Sequence, residues 1–462
     1  MEAMSKTDEN EALRTRLHRA IPGGAHTYSR GDDQFPASAP PVLVRGKGAY
    51  VWDNQDRRYL DYGMALRAVT LGYADSRVNA AAAAEMEKGV NLTRATLTEL
   101  HAAESLIELV PSIEMVKFGK NGSNVTTAAV KIARAYTGRR FVCIPRQHPF
   151  FSFDDWFIGT TVMRRGVVPD HAAATLVFDY GDAGSLATLF AEHPGQIAAV
   201  MLEPATTQVP CPAGCGEAFG WPVKLCSACP RNGENFLQQV QQLCRREGAV
   251  FILDEMITGF RWHLAGAQTL FGVQPDLTTF GKGMANGFSV AAVGGRRELM
   301  QVGSTDVSGA ERTFLLSTTH GAEMTGLGAY LETLRIYQVE DVVGHLWRYG
   351  ASLRDGIREI AARHALASFV QIDGPAICLN YMTHDASGAP SLAFRTLLAQ
   401  ELLARGIMMP WIAVSQSHGA EELEKTLQAF DGALTVYAKA LDSGVDSFLR
   451  GPVIRPVFRS NN

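Results

Sequence analysis

Two stretches decide the fold of this chain: VFILDE at residues 250–255 and PDLTTFGKG at residues 275–283. Four apolar residues that end in a carboxylate are typical of a buried parallel strand, which would bring Asp254 to the carboxyl edge of a sheet. Open α/β sheets bind their ligands at that edge. Lys282 lies in a Gly-flanked turn after the next short strand, so its amine can reach the same pocket. The two stretches predict an α/β fold in which a carboxylate and an amine face one ligand.

The combination of Asp254 and Lys282 indicates a particular chemistry. A carboxylate can keep a pyridine nitrogen protonated, and a lysine amine with a pKa depressed by desolvation can form an imine with an aldehyde. Each residue also has an ordinary explanation, because a strand ending in Asp-Glu can bind magnesium or cap a helix, and a Gly-Lys-Gly turn is commonly a surface turn. The run GKGMANG at 281–287 imitates a dinucleotide fingerprint. Its glycine spacing is wrong, however, and a lysine occupies the turn that must admit a pyrophosphate.

The composition of the chain is that of a globular protein. Its 462 residues are 46% hydrophobic and 19% charged, which suits two or three domains. A net charge of −4 without a basic stripe makes nucleic acid an unexpected partner. The polar start is not a secretory signal, and no apolar run approaches the ~20 residues that span a bilayer. We therefore expect a cytoplasmic protein with reduced cysteines and no membrane partner.

Helical patterns alternate with short apolar strands from about 75 to 330, which predicts a mostly parallel sheet covered by helices. We expect an N-terminal segment at 1–75, a large domain at 76–330, and a smaller α+β domain at 331–462. Outside the large domain the sequence predicts helices at 9–20, 330–338, 343–364 and 421–441, and strands at 47–53, 58–62 and 369–372.

A phosphate site is predicted at residues 119–124, which read GKNGSN. Apolar residues at helical spacing follow this stretch until Gly138, and a helix N-terminus favours an anion. Gly122 lets the backbone approach a phosphate, Ser123 can donate its hydroxyl, and Asn124 lies in the same first turn. The alternative is that Ser123 or Asn124 is only an N-cap.

These motifs resemble a known family. The segments LDEMITGFR at 253–261, PDLTTFGK at 275–282 and VGGRRE at 293–298 are similar to those of the class III aminotransferases and, within that class, of the glutamate-1-semialdehyde aminomutases. The resemblance runs from IPGG at 21–24 to the closing helix. It implies pyridoxal 5'-phosphate (PLP) as cofactor and the PLP-dependent transferase fold of type I, with a large domain and a smaller C-terminal domain.

The resemblance implies a role for each matching residue. Lys282 would hold PLP through a Schiff base and, once released, would move a proton between the substrate carbon and the cofactor carbon. Asp254 would pair with the pyridinium and keep the ring able to accept electrons. Gly122 and Ser123 would bind the phosphate, helped by Thr318, which in this family reaches in from the partner subunit. A homodimer is therefore expected.

Two further residues match cofactor positions of the family. His148, in QHPFF at 147–151, falls where the family usually stacks a tyrosine on the cofactor ring, once a one-residue gap is allowed. We expect His148 to stack there, with Phe150 as the alternative and a structural histidine as the ordinary explanation. Glu203, in LEP at 202–204, matches a position near the cofactor with a supporting role.

Two arginines are candidates for substrate binding. Arg30 aligns without gaps with a family arginine that holds a substrate carboxylate in a bidentate pair, and the alternative is a solvated loop arginine. After LDY at 60–62 the aminomutases have Ser-Trp-Gly, whereas this chain reads GMALRA. An aromatic wall is thus replaced by Leu66 and Arg67. We therefore expect a different or more anionic substrate.

The segment FFSFDDWF at 150–157 is bulky and aromatic where the aminomutases are rich in Gly, Ala and His. An aminomutase must retain its intermediate between two half-reactions, so this difference favours an aminotransferase that releases its keto product. A small-molecule amino donor such as glutamate and a carbonyl acceptor are the expected substrates. An aminomutase is the first alternative. A vestigial protein that binds a partner through a cysteine loop is the second, and the intact Lys282 and Asp254 argue against it.

Four cysteines form two close pairs in an insertion at 208–233 that the family does not normally carry. Cys211 with Cys215 and Cys226 with Cys229 have the spacing of a tetrahedral thiolate zinc site. The loop has little core of its own, so a metal would supply folding energy. An iron–sulfur cluster, a redox dithiol pair and unrelated thiols are the alternatives. We expect a structural zinc ion.

Overall fold

The computed structural model describes residues 6–148, 150–205, 209–210, 234–309 and 311–461. The chain forms two compact units. The smaller unit combines residues 1–75 with residues 344–462, and the larger unit comprises residues 76–343. Among the helices of the described ranges, none has both the length and the apolar character needed to cross a membrane.

The strands of the described residues form three sheets. In chain order they are β1 (Leu43–Lys47), β2 (Tyr50–Asp53), β3 (Arg58–Asp61), β4 (Met115–Gly119), β5 (Phe141–Pro145), β6 (Thr175–Phe178), β7 (Ile197–Leu202), β8 (Val250–Asp254), β9 (Leu277–Phe280), β10 (Ala291–Gly295), β11 (Val370–Asp373), β12 (Asn380–Thr383) and β13 (Ile407–Met408).

The larger unit is built on a seven-stranded sheet with the order β4-β10-β9-β8-β7-β5-β6. Only β10 runs against its neighbours, since it pairs antiparallel with both β4 and β9. Every residue of β7, β8 and β9 is buried, which is the pattern of parallel strands covered on both faces. The prediction of a mostly parallel α/β sheet is confirmed.

Helices cover this sheet, and their ends follow from local sequence. The helix Phe236–Glu247 starts at a capping box formed by Asn235 and Gln238 and ends at Gly248, which has a φ of 65°. The longer helices of the unit are Ser76–Glu87, Leu97–Leu109, Gly122–Thr137, Ala183–Glu192, Phe236–Glu247 and Met324–Val339, and the short ones are Asp155–Ile158, Pro169–Ala172, Gln268–Phe271, Lys282–Ala285, Arg297–Met300 and Gln301–Gly303.

The smaller unit is α+β. It contains a four-stranded sheet in the order β1-β2-β3-β13 and the hairpin β11-β12. Its longer helices are Lys6–Ala20, Val342–Arg363 from residue 344 onward, Leu392–Ala404 and Ala420–Ser443; its short turns of 3-10 helix are Pro22–Gly24, Tyr28–Arg30, Asp32–Gln34, Ala376–Cys378 and Asp446–Phe448. The helices and strands predicted at both ends of the chain are present, but the helix expected at 330–338 begins six residues earlier, at Met324, and belongs to the larger unit.

A chain of buried hydroxyl groups ties the end of β3 to two helices of the smaller unit. The Thr426 hydroxyl donates to the carbonyl of Glu422 at 2.7 Å, so Oγ1 must accept from the Tyr62 hydroxyl, 2.7 Å away. Tyr62 in turn accepts from Tyr349 at 2.6 Å. The donor and the acceptor of each hydrogen bond are therefore assigned, and the Tyr62 hydroxyl links those of Tyr349 and Thr426.

We expect Tyr62→Phe to lower the free energy of unfolding by about 1–3 kcal/mol, because it removes the hydrogen bonds to Tyr349 and to Thr426 from a buried network. The measurement is the midpoint of urea unfolding. Tyr28→Phe is the control, since Tyr28 is 69% exposed and its hydroxyl can bond to water. Equal midpoints for the two variants would show that the hydroxyl chain contributes no stability.

Candidate active site

Six strands of the larger unit, all except β10, end at the same edge of the sheet. Because β4 and β9 both run antiparallel to β10, β4 points in the same direction as β5, β7, β8 and β9. Asp254 ends β8, Lys282 follows β9, Ser123 follows β4, His148 follows β5, and Glu203 follows β7. The sheet thus brings together five of the residues that the sequence singled out.

Asp254 is the most constrained of these residues. Its side chain is buried, and its Oδ1 accepts the Thr279 hydroxyl at 2.8 Å and the backbone N–H of Met256 at 3.0 Å. Burial raises the pKa of Asp254 to about 6, although both hydrogen bonds and the charge of Lys282 act to lower it. Desolvation therefore outweighs the local donors, and a further positive charge would be needed to hold this carboxylate firmly ionised.

Lys282 lies in a tight turn directly after β9. Its φ of 43° is in the left-handed region, which is unfavourable for a side chain other than glycine. The preceding Gly281 is required by space, because a Cβ there would lie 2.3 Å from the Met256 sulfur. The Tyr337 hydroxyl donates to the Gly283 carbonyl at 2.7 Å and fixes the far side of the turn. The lysine is half-buried, and its charge acts on Asp254.

The predicted phosphate site is the first turn of the helix Gly122–Thr137. The N-cap is Asn121, whose side chain accepts the N–H of Asn124 at 3.0 Å, so neither Ser123 nor Asn124 caps this helix. The buried Ser123 hydroxyl accepts the N–H of Phe153 at 3.1 Å and keeps its own proton for donation. A Cβ on Gly122 would lie 3.2 Å from Met256, so close packing explains this glycine as well.

His148 and Phe150 occupy different environments. His148 is 6% exposed, and its ring packs against Phe151 and Tyr180 at centroid distances of 4.9 and 5.5 Å. Its Nδ1 accepts the N–H of Glu203 at 3.1 Å, so Nε2 carries the proton. Burial lowers the pKa of His148 to about 3 and keeps the ring neutral. Phe150, in contrast, is 46% exposed and presents an accessible ring.

Most of the aromatic segment at 150–157 belongs to the core. Phe151, Trp156 and Phe157 are buried and pack against one another at centroid distances of 5.7 to 6.5 Å. Phe150 and Phe153 are the exposed phenylalanines of this segment. Any gating contribution of this segment therefore depends on those two residues.

Glu255 is a residue whose importance the sequence did not reveal. Its buried carboxylate accepts the Thr258 hydroxyl and the backbone N–H groups of Ala267 and Gln268, the latter two at 2.9 and 2.7 Å. Burial raises the pKa of Glu255 to about 7, and the neighbouring Asp254 raises it further. Glu255 thus anchors the segment 258–268 beside the sheet edge. Its only signal in the sequence was its position directly after Asp254.

The other predicted residues belong to different segments of the chain. Thr318 is exposed in the loop before the helix Met324–Val339 of the larger unit. Arg30 and Arg67 belong to the smaller unit, where Arg30 is exposed and the Arg67 guanidinium lies 5.9 Å from the centre of the Trp411 ring. The predicted zinc ligands Cys211, Cys215, Cys226 and Cys229 lie outside the described residues.

The chemistry of the sheet edge fits a PLP molecule. The buried Asp254 carboxylate would be held ionised by a pyridinium, and the first turn of the helix Gly122–Thr137 suits a phosphate. The His148 Nε2–H is a buried donor that finds no acceptor among the described residues. A bound molecule with an acceptor atom would satisfy it.

Comparisons with known proteins agree with this arrangement. The sequence matches the family described as "Aminotransferase class-III" over residues 28–175 and 229–413. A glutamate-1-semialdehyde 2,1-aminomutase from Alkaliphilus oremlandii is 30% identical over 446 residues, which cover 93% of this chain and 99% of that protein.

Two solved structures illustrate the shared fold. The FumI protein of Sphingopyxis sp. MTA144, solved in its PLP internal aldimine form, has a TM-score of 0.81 and 26% identity over 94% of this chain and 97% of its own. An omega-transaminase from Sphaerobacter thermophilus has a TM-score of 0.78 and 26% identity over 93% and 98% of the two chains. The chain therefore belongs to the class III aminotransferases, a family of PLP-dependent enzymes.

Proposed function

We propose that this protein is an aminotransferase that moves an amino group between a small-molecule amino acid donor and a carbonyl acceptor. The observation that carries the proposal is the position of Asp254 and Lys282 at the carboxyl ends of the adjacent parallel strands β8 and β9. An amine that can bind an aldehyde and a carboxylate that can hold a pyridinium are the two groups that PLP requires of a protein.

The cofactor, when bound, supplies an electron sink for the substrate carbon. Asp254 would hold the pyridine nitrogen protonated. The N–H groups of Gly122 and Ser123 and the Ser123 hydroxyl would bind the phosphate, and Asn124, whose N–H is bonded to Asn121, would contribute its side chain. Nζ of Lys282 would anchor the cofactor and, once displaced by the substrate amine, would carry the proton taken from the substrate carbon.

Two residues would shape the space around the cofactor ring. Phe150 is favoured over His148 as the stacking residue, because a group that covers a ligand must present an accessible face and the His148 ring is enclosed by Phe151 and Tyr180. His148 would instead offer its Nε2–H to the ligand. Glu203 supports this role, because its N–H fixes which imidazole nitrogen carries the proton.

A homodimer in the cytoplasm is part of the proposal. Thr318 would complete the phosphate site of a second copy, as the family resemblance implies. In support, Thr318 is exposed, and nearby Phe314 is 74% exposed, as expected for a stretch that another subunit covers.

Glutamate-1-semialdehyde aminomutase is the alternative, and it is favoured by the similarity of this chain to several proteins of that name. The aminotransferase assignment rests on Leu66 and Arg67, which replace an aromatic wall, and on the exposed Phe150 and Phe153. Arg30 would bind the substrate carboxylate in either case, with Arg67 as a second candidate.

The test of the function is the half-reaction of the purified, PLP-loaded protein. We expect glutamate or another amino donor to remove the yellow colour of the cofactor and release one 2-oxo acid, with little isomerisation of glutamate-1-semialdehyde. Lys282→Ala should abolish turnover because it removes both anchor and base, whereas Lys439→Ala, on an exposed helix position, should not. Efficient formation of 5-aminolevulinate without an external donor would instead establish the aminomutase.

Asp254→Asn should have opposite effects on activity and on the stability of the cofactor-free protein. Because folding raises the pKa of Asp254 from 3.8 to about 6, the ionised carboxylate destabilises the fold above pH 6 and not below pH 4. We expect the variant to be more stable than the wild type at pH 8, by up to about 3 kcal/mol, with the difference shrinking toward pH 5. Turnover should fall by several orders of magnitude. A less stable variant at pH 8 would contradict this account.

A structural zinc ion in the insertion is a separate part of the proposal, supported by cysteine spacing alone. Four thiolates leave no open position for water, so the metal would not be catalytic. We expect about one zinc per chain by elemental analysis, lost in Cys226→Ser and in Cys229→Ser while PLP absorbance remains. Cys378→Ser is the control. A metal-free wild type with unchanged stability under reducing conditions would leave the four cysteines as ordinary thiols.

A further inference from the structure

An ion pair lies next to the predicted phosphate site of the larger unit. Lys120 directly precedes the N-cap Asn121 of the helix Gly122–Thr137, and its Nζ donates to Oε1 of Glu323 at 2.8 Å. Both side chains are partly buried, with exposed fractions of 26% and 14%. Salt screens charges at such positions less than it screens charges on the open surface. The pair therefore affects the potential felt by an anion that binds nearby.

Glu323 is held in place by its own helix. It is the N-cap of the helix Met324–Val339, and its carboxylate accepts the N–H groups of Thr325 at 3.1 Å and Gly326 at 3.0 Å. Burial acts to raise the pKa of Glu323, but the hydrogen bond and charge of Lys120, together with the N–H of Gly326, bring this pKa below its ordinary value. The carboxylate is thus ionised at neutral pH, and its helix would keep it there without Lys120.

The segment that leads to Glu323 runs against the strand that leads to the phosphate site. A Cβ on Gly321 would lie 3.4 Å from the carbonyl oxygen of Phe118, in β4. Gly122, where the backbone would approach the phosphate, follows two residues after Lys120, so the Cα atoms of these two residues are at most about 7 Å apart. Glu323 therefore places a negative charge close to the position of the expected phosphate.

The two charges have opposite consequences for a phosphate. The N–H groups and dipole at the start of the helix Gly122–Thr137 attract an anion, whereas a carboxylate nearby repels it. An ammonium group in contact with that carboxylate cancels most of its field at a distance, because the pair then acts as a dipole. The contact of Lys120 with Glu323 is thus what makes an acid acceptable beside this site.

We propose that Lys120 is a positioning residue for the cofactor phosphate: it neutralises Glu323 and so keeps the first turn of the helix Gly122–Thr137 open to an anion. Lys120 itself would not contact the phosphate, which would be bound by the helix N–H groups and the Ser123 hydroxyl. This inference rests on the proposed function, because PLP is the ligand that carries the phosphate.

The test compares PLP with pyridoxal, which lacks the phosphate, on the purified cofactor-free protein. Both compounds carry the aldehyde that Lys282 would bind, so absorbance titration gives a dissociation constant for each. Lys120→Met should weaken PLP binding about tenfold or more and pyridoxal binding by less than about twofold, because the unneutralised Glu323 repels only the phosphate. Lys120→Arg should bind PLP as the wild type does, since a guanidinium pairs with the same carboxylate.

The double variant Lys120→Met/Glu323→Gln tests the cause. It should recover most of the PLP affinity, because the glutamine oxygen still accepts N–H groups at the start of the helix Met324–Val339 and carries no charge. Lys88→Met is the matched control. It breaks another Lys–Glu pair of the larger unit, with Glu85 at 2.7 Å, and should leave both affinities unchanged.

Equal PLP affinity in Lys120→Met and the wild type would overturn the inference. An equal loss for PLP and pyridoxal would also overturn it, because the change would then act on the fold as a whole. A double variant as weak as Lys120→Met would show that the ammonium group itself contacts the phosphate, against the inference. In each of these cases the wild type still binds PLP and the proposed function stands. A wild type that binds no PLP would instead refute the proposed function.

Discussion

The buried carboxylate of Asp254 is the constraint on which the larger unit depends. An ionised group in a desolvated position is costly unless cations or donors surround it. Here Thr279 and Met256 donate to it and Lys282 acts on it through its charge, yet burial still raises its pKa to about 6. A ligand with a positive charge next to Asp254 would lower this pKa, and the pyridinium of PLP, the cofactor of the family, is such a group.

Backbone strain marks both units at the positions where chemistry is expected. Lys282 is left-handed in the larger unit, and the turn Met64–Arg67 is left-handed in the smaller one. In each case side chains from separate elements hold the strained backbone: the Tyr337 hydroxyl binds next to the lysine, and Asp61 and Tyr73 hold the turn. Tertiary contacts therefore stabilise conformations that the local sequence disfavours.

The sequence predicted what depends on local pattern and could not predict what depends on distant partners. The strand ending at Asp254 and the turn at Lys282 follow from a few adjacent residues, so both were found at their expected places. The N-cap at Asn121, the enclosure of His148 by Tyr180 and the burial of Trp156 depend on which elements pack together. The sequence of the segment 150–157 alone cannot distinguish a buried aromatic residue from an exposed one, because burial depends on which elements pack against it.

The antiparallel strand β10 determines how Lys282 is able to move. Residues 281–290 connect β9 to β10, which pair directly, with Ala292 opposite Phe280, so the connection is a short loop fixed at both ends. Hydrogen bonds from Tyr337 to Gly283 and from Ser289 to Lys120 pin it further. A lysine that must exchange one bonding partner for another then does so by rotamer changes of its four-carbon stem. The mobility that such an exchange requires would then reside in one side chain, while the backbone that supports it stays in place.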